Sequence, residues 1–365
     1  MIRPIPDWKL DKMVVLAMPG TQNPNPQRVA IVQDYALFLL EHKIPVRVLL
    51  SSYLPWDVFD GIQKAGAEID NIVANDIWIR DWAPLLCDND GERVAIKFDY
   101  KNSYAFNTAY DDQAGVLLPR SLDYKILFSK LIWDMGNFTT NGSDIIVTDQ
   151  VLAENGLKNG VELKNQLEQN HGFAPDTRVF VLPCLSEEQE LWELYGKPKE
   201  EAISHIDGNM RFLDDKKIIC ALPNVDRLAQ HLNNKANKPS DPIRAKQQKY
   251  MEIHISKRRK IESLIKTLKE DFEVLTIESD MDIPKFDQKS TAQETLDDIG
   301  DYINFLRFGD RLFLPQYDPA MYKKDDKAAL TVYRKAGIKV TPVKEDFILQ
   351  LARAGGVLNC ASWVM

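Results

Sequence analysis

His205 and Asp207 stand two apart in Ser204-His205-Ile206-Asp207-Gly208-Asn209-Met210-Arg211-Phe212, a spacing that puts both side chains on one face of an extended strand. An imidazole and a carboxylate side by side can do general acid–base work next to a group that binds a cation. The strand is expected to run through Phe212 and Leu213, turn at Asp214-Asp215, and return as Ile218-Ile219-Cys220-Ala221-Leu222. That return run is apolar throughout, the pattern of a buried strand. Taken alone, His205 would pass for a satisfied core histidine.

The same arrangement recurs. Trp78-Ile79-Arg80-Asp81 comes before the turn Asp88-Asn89-Asp90-Gly91 and the strand Val94-Ala95-Ile96. Trp133-Asp134-Met135-Gly136-Asn137 comes before Asn141-Gly142, a strong hairpin signal, and Ile145-Ile146-Val147. Tyr302-Ile303-Asn304 comes before Gly309-Asp310 and Leu312-Phe313-Leu314-Pro315. A fifth unit is expected at the C-terminus, where Ile338-Lys339-Val340 precedes a helix-like stretch and then Gly355-Gly356-Val357-Leu358-Asn359-Cys360. A polar cluster leading into a hairpin with an apolar return strand is thus a pseudo-repeat of irregular spacing.

Along the chain, Met13–Pro19 reads as a buried first strand, followed by a Pro/Asn/Gly-rich loop to Pro26 and a helix from about Arg28 to His42. Val46–Leu50 is a second strand, and Asp57–Ala65 a short helix. Phe98–Gly115 reads as a Tyr/Asn/Asp-rich loop too long for a simple connection, and such loops often carry function. Asn159–His171 is a helix ending at His171-Gly172, where an imidazolium would suit the helix dipole, and Arg178–Pro183 is a strand. The segment 233–269 is helical and basic, with Ile253, Ile261, Leu264, Ile265 and Leu268 on one face and Lys257-Arg258-Arg259-Lys260 as its expected solvated side.

Bulk composition narrows the classes. The 365 residues carry a net charge of −8, which disfavours nucleic acid and suits a cationic small molecule. No apolar run approaches the roughly 20 residues of a membrane span, and Met1–Trp8 lacks the apolar core of a signal peptide. Cys87, Cys184, Cys220 and Cys360 are far apart with no CxxC, so neither a zinc site nor a disulfide framework is indicated, and the expectation is a reduced, cytoplasmic protein.

Asn75-Asp76-Ile77-Trp78-Ile79-Arg80-Asp81, His205-Ile206-Asp207, Tyr302-Ile303-Asn304-Phe305 and Gly355-Gly356…Cys360, in that order, resemble the agmatine deiminase and Porphyromonas-type peptidylarginine deiminase family of guanidine-modifying enzymes. The resemblance covers most of the chain, from Leu16-Ala17-Met18-Pro19 to Cys360. It implies an α/β pentein fold over residues 1–365 as a single domain: five pseudo-repeated ββαβ units around a central active-site channel.

The resemblance also implies roles. Cys360 attacks the guanidinium carbon as a thiolate and expels ammonia, leaving a thiouronium that water resolves. His205 protonates the departing amine and then activates the water. Asp81 and Asp207 each accept paired N–H bonds from the cation. Asn304 positions substrate or nucleophile, Trp78 packs on the guanidinium plane or the substrate stem, and Asp134 stands where relatives carry an acid followed by Gly-Gly-Asn. Trp82 joins the substrate-binding set. The departures are specific: Asp81 is followed by bulky Trp82, one glycine after the acid has become Met135, Ser204 replaces a common Gly, and Asn359 stands where His often precedes the cysteine.

The expected activity is hydrolysis of a guanidine, agmatine first, without metal or cofactor, to a ureido product and ammonia. Arginine in a peptide, amidino transfer to an amine, and a non-catalytic pentein binding protein remain open, because a fold does not fix an activity. A metal hydrolase built on His205 and Asp207 would lack further histidines in ligand spacing. An exposed sheet edge or the basic helix could support a homodimer.

Overall fold

Among the described residues, four hairpins and one pairing of the two chain ends organise the molecule, each an antiparallel pair whose second strand is then joined in parallel by a third. The computed structural model describes residues 1–20, 25–51, 54, 56–101, 108–232, 241–279, 299–317 and 322–365. In the first unit Leu85–Asn89 pairs with Glu92–Asp99, which pairs in parallel with Lys125–Ile132. The second joins Thr139–Thr140, Asp144–Thr148 and Arg178–Leu182, and the third Met210–Phe212, Lys217–Pro223 and Glu273–Ser279. The fourth joins Leu306–Phe308, Arg311–Pro315 and Lys339–Val343. In the fifth, Trp363–Val364 at the C-terminus pairs with Val14–Ala17, which runs parallel to Val46–Leu49. The chain therefore closes on itself as the pentein α/β propeller.

Each parallel step needs a crossover, and a helix supplies it: Ala109–Ser121, Gly160–His171, Asp241–Leu268, Lys323–Lys335 and Pro26–Glu41. Val14–Ala17 and Asp144–Thr148 are buried at every position, as strands covered on both faces should be. The hairpins turn where side chains satisfy the turn backbone. Asn141 Oδ1 accepts from the Ser143 and Asp144 N–H groups, and Asp214 Oδ1 accepts from those of Lys216 and Lys217.

Several expectations change. His205 and Asp207 do not lie on a strand: residues 205–209 form a turn in which the Met210 N–H donates to the Ile206 carbonyl at 2.7 Å, and the strand begins at Met210. Met13–Pro19 holds a strand but not the first one, since Ile2–Pro4 pairs with the edge of the first unit. Three residues interrupted by Pro4 are too short to show periodicity. Ile338–Val340 belongs to the fourth sheet rather than the fifth, because Lys339–Val343 takes the parallel place beside Arg311–Pro315.

The long Phe98–Gly115 loop is shorter than expected. A strand runs to Asp99 and a helix begins at Ala109, hidden from pattern reading by Gly115 and Pro119 within it; residues 102–107 lie outside the described set. That helix matters to the site. Its buried Asp111 accepts from the N–H groups of Asn75 and Asp76, at 2.6 and 3.0 Å, and so fixes the approach to Trp78.

The basic helix spans Asp241–Leu268, and residues 233–240 of that expected segment lie outside the described set. Its charges are paired rather than simply solvated. Lys257 meets Glu188 and Lys260 meets Glu187, both at 2.6 Å, across a helix at Leu185–Leu194. His254, on the same helix, is buried beside Tyr250 and held neutral, its pKa pushed down to about 3 by burial and by Lys257. His171 is also pushed down by burial, so its imidazole is not the cation that the helix dipole would favour. Among the described residues, no helix is long and apolar enough to cross a membrane.

Candidate active site

The polar clusters that precede the five edge strands meet at the centre of the ring. Cys360 sits in a turn three residues before Trp363–Val364, and its carbonyl accepts from the Arg80 N–H at 3.1 Å. Asn304 precedes the fourth hairpin and clamps this turn from across the ring. Its Oδ1 accepts from the backbone N–H groups of Asn359 and Cys360, at 2.9 and 3.1 Å. With the oxygen committed, the amide nitrogen must face the thiol: Nδ2 lies 2.9 Å from Cys360 Sγ and 3.3 Å from Asp207 Oδ2. The thiol in turn donates to Asp207 Oδ2 at 3.5 Å. Asn304 is held by Asp301, whose Oδ1 accepts from the Ile303 and Asn304 N–H groups.

His205 forms the other side. Its Nε2 lies 3.2 Å from Asp134 Oδ2 and its Nδ1 3.8 Å from Asp81 Oδ1. Burial disfavours the charged ring, but Asp81, Asp134 and Asp207 together outweigh it and push His205 up to about 10. The imidazole is therefore an imidazolium at neutral pH, and a proton donor. Asp134 Oδ1 is buried without a hydrogen-bond donor among the described residues. Such an acceptor costs about 1–3 kcal/mol until a donor reaches it. Behind it Glu154, bonded by Gln150, is pushed up to about 7 by burial and by the Asp134 charge.

Gly136 explains which glycine the acid motif keeps. A Cβ there would lie 2.5 Å from His205 Nδ1 and 2.6 Å from Asp81 Oδ1, so any side chain would displace the imidazole. Its carbonyl accepts from the Asp207 N–H at 3.2 Å, linking the second and third units. Gly355 takes a left-handed conformation at φ 93°, and Gly356 lies so close under Trp78 that a Cβ would stand 2.6 Å from the ring. The freedom read for this pair thus serves both a turn and a close approach.

Of the eight expected residues, the structure brings Cys360, His205, Asp81, Asp207, Asn304 and Asp134 together, with Trp78 at their edge over Gly356. Trp82 is not among them. It is 1 % exposed and packs in the main core on the short helix Ile79–Trp82, its carbonyl against Gly115. One helical step from Asp81 turns it inward.

The sequence reading did not include Asn359, Asp301 or Glu154 in the site, nor the support beneath it. There Asp7, whose burial is outweighed by Arg80, Arg211 and Arg307 so that its carboxyl is held below the ordinary carboxylate value, accepts from Arg211 and pairs with Arg80. Arg211 also donates to the carbonyls of Ile303 and Phe305, on either side of Asn304, and lies 4.0 Å from the centre of the Phe305 ring. Arg80 and Arg211 were visible as charges next to motif residues. Nothing in their spacing showed that they converge on one N-terminal carboxylate.

Solved structures share this fold over the full length. The chain matches C. jejuni agmatine deiminase with a TM-score of 0.68 at 19 % identity, covering 100 % of this chain and 96 % of that one. A Cys-to-Ser variant of that enzyme with substrate bound gives 0.69 at 18 %, covering 100 % and 96 %. The agmatine deiminase of Enterococcus faecalis gives 0.68 at 14 %, covering 100 % and 95 %. The sequence model of the Porphyromonas-type peptidyl-arginine deiminase family matches residues 3–365, and the chain belongs to that family of guanidine-modifying deiminases, hydrolases acting on C–N bonds.

Proposed function

We propose that this chain hydrolyses the guanidinium group of a small cationic substrate, agmatine first, to a ureido product and ammonia through a covalent intermediate on Cys360. The observation that carries the reading is one cluster holding a thiol, two amide-bearing residues and three carboxylates around an imidazolium. A planar cation with five N–H donors answers that set of acceptors, including the buried Asp134 Oδ1.

The steps follow from the contacts. Asp207 opposes a neighbouring thiolate, and Asn304 Nδ2 favours it. A bound guanidinium neutralises the carboxylates, so the thiol loses its proton to solvent when substrate is present. Sγ then bonds to the guanidinium carbon. His205 gives its proton to one nitrogen, the C–N bond breaks, and ammonia leaves a thiouronium. The neutral imidazole takes a proton from water as its oxygen attacks the same carbon. The C–S bond breaks, the thiolate takes up the hydroxyl proton, and the ureido product departs. In N-carbamoylputrescine the oxygen is water's. The proposed sequence draws on no cofactor.

The solved neighbours named as agmatine deiminases favour agmatine. The description of the matching family favours a second substrate, arginine in a peptide. Ammonia release from agmatine, free arginine and short arginine peptides, with Cys360→Ala as control, separates them. Release from agmatine alone, lost by at least about 10³-fold in the variant, is expected. Release only from peptides would move the assignment to the second reading, and release from none would overturn both.

A further inference from the structure

Asn359 has no step in the chemistry above, yet it is tied to that chemistry at two points. Its Nδ2 donates to Asp207 Oδ2 at 2.7 Å, closer than the other two donors on that oxygen, Asn304 Nδ2 at 3.3 Å and Cys360 Sγ at 3.5 Å. Its backbone N–H donates to Asn304 Oδ1 at 2.9 Å. The residue is 3 % exposed, so neither contact is exchanged with bulk water. The two amides and the thiol are all directed at Oδ2, which leaves the other oxygen of Asp207 to meet a cation. Asn359 Oδ1 is itself buried with no hydrogen-bond donor among the described residues, which an asparagine kept only for packing would not require.

We propose that Asn359 is a positioning residue for the reaction proposed above: its amide fixes Asp207 as a one-oxygen acceptor for the guanidinium and draws charge from that carboxylate, easing ionisation of Cys360. An unshielded carboxylate 3.5 Å from Sγ would raise the thiol pKa, and each N–H bond to the carboxylate tempers that effect. The other titratable groups of the site are His205, Asp81, Asp134, Glu154 and Asp301, and the described side-chain hydrogen bond of Asn359 goes to Asp207 instead. Substitution at Asn359 should therefore act on the thiol through Asp207.

The test is alkylation of Cys360 by iodoacetamide across pH in the free full-length protein, read by peptide mass. It requires no substrate. Cys87, Cys184 and Cys220 are internal references, since burial pushes all three thiols up. Asn359→Ala is expected to raise the alkylation midpoint by about one pH unit, and the isosteric Asn359→Asp by more, because it sets a second carboxylate beside Asp207. Asn359→His, which keeps an N–H donor, is expected to restore most of the shift. In turnover, Asn359→Ala is expected to lower kcat by about tenfold or more with a smaller change in KM.

Unshifted midpoints in folded Asn359→Ala and Asn359→Asp would overturn the role, as would a His variant that moves as far as Ala. If Ala does not fold, Asp and His decide the question by the same readout. The predicted shifts in a protein inert toward every guanidine would count against the deiminase reading alone. Full turnover with unshifted midpoints would count against Asn359 alone.

Discussion

Around Cys360 the contacts come from neutral amides, whereas around His205 they come from carboxylates. The side-chain amides of Asn304 and Asn359 donate to the thiol and to Asp207, and Asn304 Oδ1 accepts from the backbone N–H groups of Asn359 and Cys360. Such bonds fix angles and distances and add no net charge. His205 has a carboxylate at each ring nitrogen, and the sum of their fields keeps it protonated up to about 10. One side of the site thus sets the geometry and ionisation of the thiol, and the other sets the protonation of His205. Asp207 belongs to both, touching the thiol directly and His205 through its field. Changes on the first side should depress the rate and move the ionisation of Cys360, and changes on the second should move the alkaline limb that His205 sets.

The largest effect is expected at His205. His205→Gln should lower kcat by about 10²–10⁴-fold, the range of a lost general acid–base group. It should also change stability against pH with a definite sign. The folded pKa of about 10 lies above the ordinary value of 6.5. The stabilisation is therefore complete below about 6.5 and is lost as pH rises through about 10, because in that window the unfolded chain has already released the proton. Denaturant midpoints measured from pH 6 to 10 should fall in the native protein and fall less in the variant. Equal slopes would mean that the two carboxylates do not govern His205.

Asn304→Ala comes next and probes the other side. It removes the N–H to Sγ and the acceptor of two backbone N–H groups together. A loss of about 10²-fold in kcat is expected, with the alkaline limb of the pH–rate profile, set by His205, within about half a unit of its native position. An alkaline limb displaced by a unit or more would show that the amides govern the protonation of His205 as well, and the division between the two sides would fail.

The divided site was only half legible in the sequence. Cys360, His205, Asp81, Asp207, Asn304 and Asp134 were legible as an ordered set of motifs resembling the family, and all but Cys360 precede a hairpin with local signals such as Asn141-Gly142 and Gly309-Asp310. Four of the sheets followed from the same signals, while the fifth, closed by Trp363–Val364 on Val14–Ala17, did not. The partners did not. Asn359 meets Asp207 from 152 residues away, and Asp7 meets Arg211 from 204 away, with no local period to reveal either contact. The helix Ala109–Ser121 was obscured by its own glycine and proline, and with it the role of Asp111 in holding the approach to Trp78. Local chemistry was legible; long-range supports were not.

Gly136→Ala tests how tightly the two sides are fitted to each other. Its Cβ would fall 2.5 Å from His205 Nδ1 and 2.6 Å from Asp81 Oδ1, so the imidazole must move away from its carboxylate. Overpacking of this kind costs about 1–3 kcal/mol of stability, and about a tenfold loss in kcat is expected from the misplaced acid. The variant should also bring the alkaline limb of the pH–rate profile down, because a displaced ring feels Asp81 less. A full rate with an unmoved limb would show that the close fit is not needed.

The smallest effect is expected at Trp82, and it is the sharpest test of where the site ends. By sequence this residue adjoins Asp81 and could line the substrate; in the fold it is 1 % exposed and packed in the main core. Its indole Nε1 is buried without a hydrogen-bond acceptor among the described residues. Trp82→Phe removes that unsatisfied donor while keeping an aromatic ring, so the lost packing and the relieved donor partly offset each other. Stability should change by about 1–2 kcal/mol or less, and kcat/KM should stay within about threefold. A fall of more than about tenfold in kcat/KM, carried by KM with stability intact, would place the indole against the substrate instead. The protonation side would then extend past Asp81 along the short helix.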